Sequence, residues 1–194
     1  MHISYKAKRI LITGVSLGIL IILYAFKNAA FTLRVFSTIG FLIFFYLIDH
    51  IFGIRFMLKH YIYAILIAVT GFLLSPLYFI YPNYDKILHL VMPLIYSSII
   101  FYVISKLKLE LKWKLTFTLF ISLGIVGLFE IGEYLLDIFF DLKLQGVFLR
   151  NLQGIEKFDI LLDRNDDTMI DMSIGTISSL IYVITTAVCL RKRN

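Results

Sequence analysis

The stretch DKILHLVMPLIYSSIIFYVIS, from Asp85 to Ser105, is long and apolar enough to cross a membrane, yet it opens on Asp85 and carries His89 one turn later. A span needs roughly 20 apolar residues to cover a hydrocarbon core of about 30 Å. Strands of a membrane barrel alternate with a period of two, which this run does not, so it predicts a helix. Five further runs share its character: Ile10 to Phe26, Val35 to Phe52, Tyr61 to Ile80, Leu115 to Asp137 and Asp167 to Leu190. With 60% apolar and 16% charged residues in 194 positions, little chain remains for a soluble domain. The expectation is all-α: an integral membrane bundle of about six transmembrane helices, one polytopic domain over residues 1–194.

Basic residues set the orientation. Lys6, Lys8 and Arg9 precede the first run, Arg55 and Lys59 follow the second, Lys106, Lys108, Lys112 and Lys114 follow the fourth, and Arg191, Lys192 and Arg193 end the chain. All fall on one side of a six-span topology, so the positive-inside bias puts both termini in the cytoplasm. The net charge of +6 is then a topology signal that meets anionic lipid headgroups, and the expected partners are membrane lipids, not nucleic acid. The apolar run after the basic N-terminus is long, and Tyr24 to Ala30 offers no convincing cleavage site, so it predicts a retained first helix. Cys189 is the single cysteine, which excludes an intrachain disulfide and a thiolate cluster and suggests an inert buried thiol.

One connection is long. Residues 138–166 face outward in this topology and mix charged residues with Phe148, Leu149, Phe158, Ile160 and Leu161, the composition of a segment lying in the membrane interface. Leu-Gln-Gly occurs twice in it, at 144–146 and 152–154, where it predicts turns.

Charge at membrane depth is costly and marks function. Asp85 and His89 are spaced i, i+4; Glu130, Glu133 and Asp137 follow i, i+3, i+7; Asp167 and Asp171 are again i, i+4. Each set forms a polar stripe on one helix, and the orientation gathers all seven residues in the outer half of the membrane. Asp85, Asp166 and Asp167 suit helix N-termini, where a carboxylate caps free amides. The triplet ending at Asp137 sits at a helix C-terminus, where the dipole is unfavourable, so a cation or a shared proton must offset it. Pro93 removes the helical partner of the His89 carbonyl and predicts a kink or a freed ligand oxygen. Ser97 below His89, Gly175 and Ser179 below Asp171, and Gly127 before Glu130 let helices approach, turning the stripes into the bundle. Asp49 and His50 at the inner end of the second helix are expected to be solvated.

Three occupants suit such a cluster. One is a divalent metal ion, the one cofactor candidate the residues offer, held among Asp85, His89, Glu130, Glu133, Asp167 and Asp171, with the carboxylate excess favouring harder ions. Another is protein cations, from Lys86, Arg150 and Arg164. The third is protons, with Glu130 and Glu133 sharing one. A closed salt-bridge network is the purely structural alternative.

Tyr84-Asp85-Lys86 followed by His89, Glu130-Ile-Gly-Glu133-Tyr134, and Asp167-Thr-Met-Ile-Asp171-Met172 with Gly175 resemble the YjdF-type bacterial membrane proteins and, more distantly, the VanZ-like family. The likeness runs from Tyr84 to Gly175. It implies a polytopic bacterial membrane protein whose Asp, His, Glu and Asp positions form the family's polar signature, without implying a reaction. The connection between Glu133 and Asp171 is longer than in the VanZ-like pattern.

The functions left open are a metal-dependent enzyme on lipid or envelope phosphates, an ion- or proton-coupled transporter, and a non-enzymatic membrane scaffold. In the enzyme, His89, Glu130 and Glu133 are the catalytic candidates and Arg150 and Arg164 meet the phosphate. Transport is disfavoured by polar residues that gather at one face and form no path across.

Overall fold

The computed structural model describes residues 4–26, 29–140, 143–150 and 158–191. Six α-helices account for most of them: α1 (Tyr5–Phe26), α2 (Ala29–Ile51), α3 (Leu58–Ala68), α4 (Tyr84–Ser105), α5 (Leu111–Phe140) and α6 (Arg164–Arg191). Four long apolar stretches, Arg34–Ile51, Tyr84–Ser105, Leu111–Phe139 and Arg164–Arg191, have the length and composition to span a membrane. Large apolar side chains stand exposed along them, such as Phe44, Phe120, Leu128 and Ile184. Apolar surface this continuous belongs against lipid, not water.

The chain forms two compact units, Met1–Ser75 and Pro76–Asn194. In the first, α1 packs on α2 and α3 packs on α2. The expected helix from Tyr61 to Ile80 is broken: α3 ends at Ala68, a π turn covers Val69–Leu73 and a 3-10 turn covers Ser75–Phe79. Gly71 lacks a side chain to hold the helix, and Pro76 disfavours helical geometry at Ser75, so the apolar run cannot continue as one helix.

Asp49 corrects the expectation of a solvated acid. It is fully buried; Oδ2 accepts from Lys8 Nζ and from the Tyr61 hydroxyl (2.5 Å), and Oδ1 accepts from the Phe56 amide (3.0 Å). Lys8, expected among the headgroups, is 2% exposed. The chain reverses between α2 and α3 through Gly53 and Arg55, both at φ 58°, and Asp49 fastens the far side of that turn. His50 is exposed, with Tyr5 edge-on to its ring at 5.2 Å.

In the second unit α4, α5 and α6 pack against one another, α4 most extensively on α6. Their buried faces are polar: Asp85, His89 and Ser97 on α4; Thr118, Ser122, Glu130, Glu133 and Asp137 on α5; Asp167, Asp171, Ser178 and Ser179 on α6. Small side chains bring the axes together. The Ser97 and Ser122 hydroxyls meet at 2.7 Å, and Ser178 Oγ donates to the Leu90 carbonyl (2.5 Å). Gly175 faces Val126 so closely that a Cβ there would lie 2.9 Å from Val126 Cγ2. The residue on that seam is Val126, one position before the expected Gly127, whose missing side chain faces open space. α4 runs through Pro93 as one helix.

The long connection holds an antiparallel hairpin, β1 (Val147–Arg150) and β2 (Phe158–Leu162), paired from Val147↔Leu162 to Arg150↔Phe158 with a bulge after Val147. The first Leu-Gln-Gly leads into it, with Gly146 at φ 89°, a conformation that favours glycine. The second copy, at 152–154, lies outside the described residues. Ile160 and Leu161 on β2 are exposed. Cys189 is also exposed, in place of the expected buried thiol.

Candidate functional site

The three polar stripes meet at one end of the second unit. Asp85, His89, Glu130, Glu133, Asp137, Asp167 and Asp171 are all buried. Among the described residues, six buried carboxylates gather there with Lys86 and His89. Burying an ion without compensation costs several kcal/mol, so each carboxylate must have an answer.

Lys86 answers three of them. Its Nζ donates to Asp167 Oδ1, to both carboxylate oxygens of Asp171 (2.7 Å each) and to Asp85 Oδ2 (3.1 Å). Its side chain is 18% exposed, against 7%, 2% and 1% for those of Asp85, Asp167 and Asp171, so the lysine closes an otherwise buried cage. Backbone amides answer others. Asp137 accepts from the Leu144 amide (2.7 Å) and the Gln145 amide (3.0 Å), and Asp167 Oδ2 accepts from the Gly146 amide (2.7 Å). The Tyr78 hydroxyl donates to the Leu144 carbonyl, and Gln145 Nε2 donates to Thr168 Oγ1 (3.2 Å). Residues 144–146 are thereby pinned over the acids.

These bonds revise the expected capping roles. The Asp85 and Asp167 carboxylates are turned to Lys86, and α6 is capped by Asp163, whose Oδ1 accepts from the Asp166 amide (2.9 Å). Asp166 is exposed. The offset that Asp137 required comes from two loop amides, which were invisible in the sequence because they arrive by a chain reversal.

Glu130 and Glu133 remain beside His89. His89 Nε2 lies 3.5 Å from Asp85 Oδ1 and 3.7 Å from Glu130 Oε1, and its ring meets Phe129 edge-on at 5.6 Å. Glu130 is 4% exposed, and its Oε1 has no hydrogen-bond partner among the described residues. Two sets of donors lie within 4.8 Å of one another: Asp85, His89 and Asp171, and His89, Glu130 and Glu133. Lys86 already occupies the carboxylates of the first. In the second, the unpartnered oxygen is open to a proton, a water or a cation, while the Glu130 carboxylate also has a hydrogen bond with the Thr168 side chain.

Of the expected phosphate-binding residues, Arg164 is exposed at the start of α6, and the Arg150 side chain lies outside the described residues. The residue that sequence reasoning placed among several cations, Lys86, is the one that the fold puts in the centre. Its signal was position: Lys86 directly follows the first acid of the α4 stripe.

No curated protein and no solved structure matches the chain. A family model described as "Predicted membrane protein (DUF2238)" matches residues 2–192, nearly the whole chain. A buried acid and histidine cluster inside long apolar helices is thus carried by a protein that belongs to the DUF2238 family of membrane proteins.

Proposed function

We propose that this protein is a multi-pass membrane enzyme that holds one divalent cation on His89, Glu130 and Glu133 and acts on phosphorylated lipids or other envelope phosphates. The observation that carries this is Glu130 Oε1, buried and without a hydrogen-bond partner among the described residues, facing His89 beside Glu133. Carboxylates with one imidazole suit Mg²⁺ or Mn²⁺, and a small contraction brings the three donors to coordination distance. Such a cation polarises a phosphoryl oxygen and lowers the pKa of a bound water, so phosphoryl hydrolysis or transfer needs no side-chain nucleophile. The loop pinned by Asp137, Asp167 and Tyr78 supports a covered site, and the exposed Ile160 and Leu161 suit a hairpin resting at the lipid interface, where such substrates present their phosphates. Arg150 and Arg164 are the phosphate-meeting candidates.

This proposal keeps the six-span topology, with both termini cytoplasmic and the cluster towards the outer face, and the kinship with YjdF-type proteins, more distant with the VanZ-like family. The whole chain acts as one polytopic domain.

Elemental mass spectrometry on detergent-purified protein tests it. Wild type loaded with Mn²⁺ is expected to retain one ion per chain, lost in His89→Ala and Glu130→Gln and kept in Asp171→Asn, whose carboxylate serves Lys86. A folded wild type that holds no ion, or that leaves a panel of lipid phosphates unchanged with Mn²⁺ and Mg²⁺, removes this function.

Cation- or proton-coupled transport is the second possibility, favoured by a specific observation. Ser97, Ser122, Thr118, Ser178 and Ser179 are fully buried in the same seam, so polar groups continue along the bundle beyond the cluster. Flux into proteoliposomes that is abolished by Glu130→Gln would establish it. Unchanged cellular function in a combined His89→Ala and Glu130→Gln variant would instead make the protein a scaffold.

A further inference from the structure

We propose that Lys86 is a tethered second cation that keeps this centre a one-metal site, a step that rests on the proposed ion at His89, Glu130 and Glu133. The Lys86 ammonium sits among oxygens of Asp85, Asp167 and Asp171, taking both oxygens of Asp171 at 2.7 Å. Three carboxylates gathered on one point, with those of Asp167 and Asp171 2% and 1% exposed, form the oxygen-rich surroundings that a hard divalent ion takes. Here the point is filled by the chain's own ammonium.

The two cation positions are neighbours. Asp85 joins them, with Oδ2 on Lys86 and Oδ1 facing His89 Nε2 at 3.5 Å. Glu130 Oε1, buried and unpartnered, marks the position that the lysine does not reach. Two-metal phosphoryl enzymes use paired ions to stabilise the attacking and leaving oxygens. The arrangement here replaces one of that pair by a fixed ammonium, which supplies positive charge while its N–H groups are engaged by Asp85, Asp167 and Asp171, and offers no exchangeable coordination site. The centre therefore takes up one ion, and its phosphate chemistry is that of one metal assisted by one lysine.

Removing the ammonium while keeping its carboxylates opens the second position. Mn²⁺ is the probe, with stoichiometry read by elemental mass spectrometry and by electron paramagnetic resonance titration of the full chain in detergent. Wild type and Lys86→Arg are expected to bind one ion; Lys86→Met and Lys86→Gln are expected to bind two. Adding Asp167→Asn and Asp171→Asn to Lys86→Met returns the count to one. Because loss of the ammonium leaves buried carboxylates unpaired, both neutral variants are purified with and without Mn²⁺, and Mn²⁺ is expected to raise their melting temperature more than that of wild type. One ion in wild type and still one in the neutral variants overturns the role of Lys86 and leaves the proposed metal site standing. No ion in wild type but one in Lys86→Met supports the exclusion by Lys86 and removes the proposed metal site. No ion in any variant, two in Lys86→Arg, or neutral variants that Mn²⁺ does not stabilise also overturn the proposal.

Discussion

A methyl group added at Gly175 tests whether the site depends on close approach of α5 and α6. The new Cβ would lie 2.9 Å from Val126 Cγ2 and 3.0 Å from Cγ1, inside the range that real contacts occupy. Val126 is 5% exposed, and a β-branched side chain in a helix has one strongly preferred rotamer, so it cannot swing away. The helices must part instead. Overpacking of this kind costs about 1–3 kcal/mol, and the rigid neighbour puts Gly175→Ala in the upper half, about 2–3 kcal/mol, or roughly 30- to 150-fold in the unfolding equilibrium. Val126→Ala removes both clashing methyls at a loss of about 1–3 kcal/mol. The double variant is therefore expected to be more stable than the sum of the singles by about 1–2 kcal/mol. Reversible unfolding in mixed micelles with rising sodium dodecyl sulfate, followed by circular dichroism, measures all four proteins. Since Val126 lies one turn before Glu130 on α5, Mn²⁺ uptake should fall in Gly175→Ala and recover in the double variant. A Gly175→Ala protein as stable as wild type, or strictly additive effects, would refute the packing argument.

Other outcomes follow from particular contacts. Asp49→Asn strands the buried Lys8 ammonium and should cost about 3–5 kcal/mol, while Lys8→Met with Asp49→Asn should recover more than half, because Asn still accepts from the Phe56 amide; the same unfolding assay decides. Asp137→Asn keeps one acceptor for two amides and loses charge-assisted bonds worth about 1.5–3 kcal/mol, so hydrogen exchange at Leu144 and Gln145 should quicken roughly 10- to 100-fold. Unchanged protection there would mean that Tyr78, Asp167 and Thr168 hold the loop without Asp137. Exposed Cys189 should react with a membrane-impermeant maleimide in inverted vesicles and stay unlabelled in intact cells; the reverse pattern would overturn the cytoplasmic C-terminus.

Much of the site was legible because membrane-depth charge is rare. The stripes on α4, α5 and α6 could be read from i, i+3 and i+4 spacing, and they do meet. What misled was treating each residue with its own helix. Asp167 reads as a cap until Lys86 and the Gly146 amide are seen on its two oxygens. Asp49 reads as solvated, since its partners Lys8 and Tyr61 come from other helices. The hairpin hid in a connection whose short strands alternate too briefly to register, and the π and 3-10 turns hid in an apolar run whose hydropathy carries no information on where a helix breaks.

Hydropathy and helical periodicity, which are local properties of the chain, determined by themselves that this is a membrane protein of long apolar helices with acids and a histidine on inward stripes. Only the tertiary structure decided how the charges are answered. Pairing a buried ion depends on distances of about 3 Å between groups up to 85 residues apart, as in Lys86 with Asp171, and no spacing along the chain encodes those. That decision gave Asp137 to the loop amides and Asp167 and Asp171 to Lys86, and among the described residues it left Glu130 Oε1 buried beside His89 without a hydrogen-bond partner.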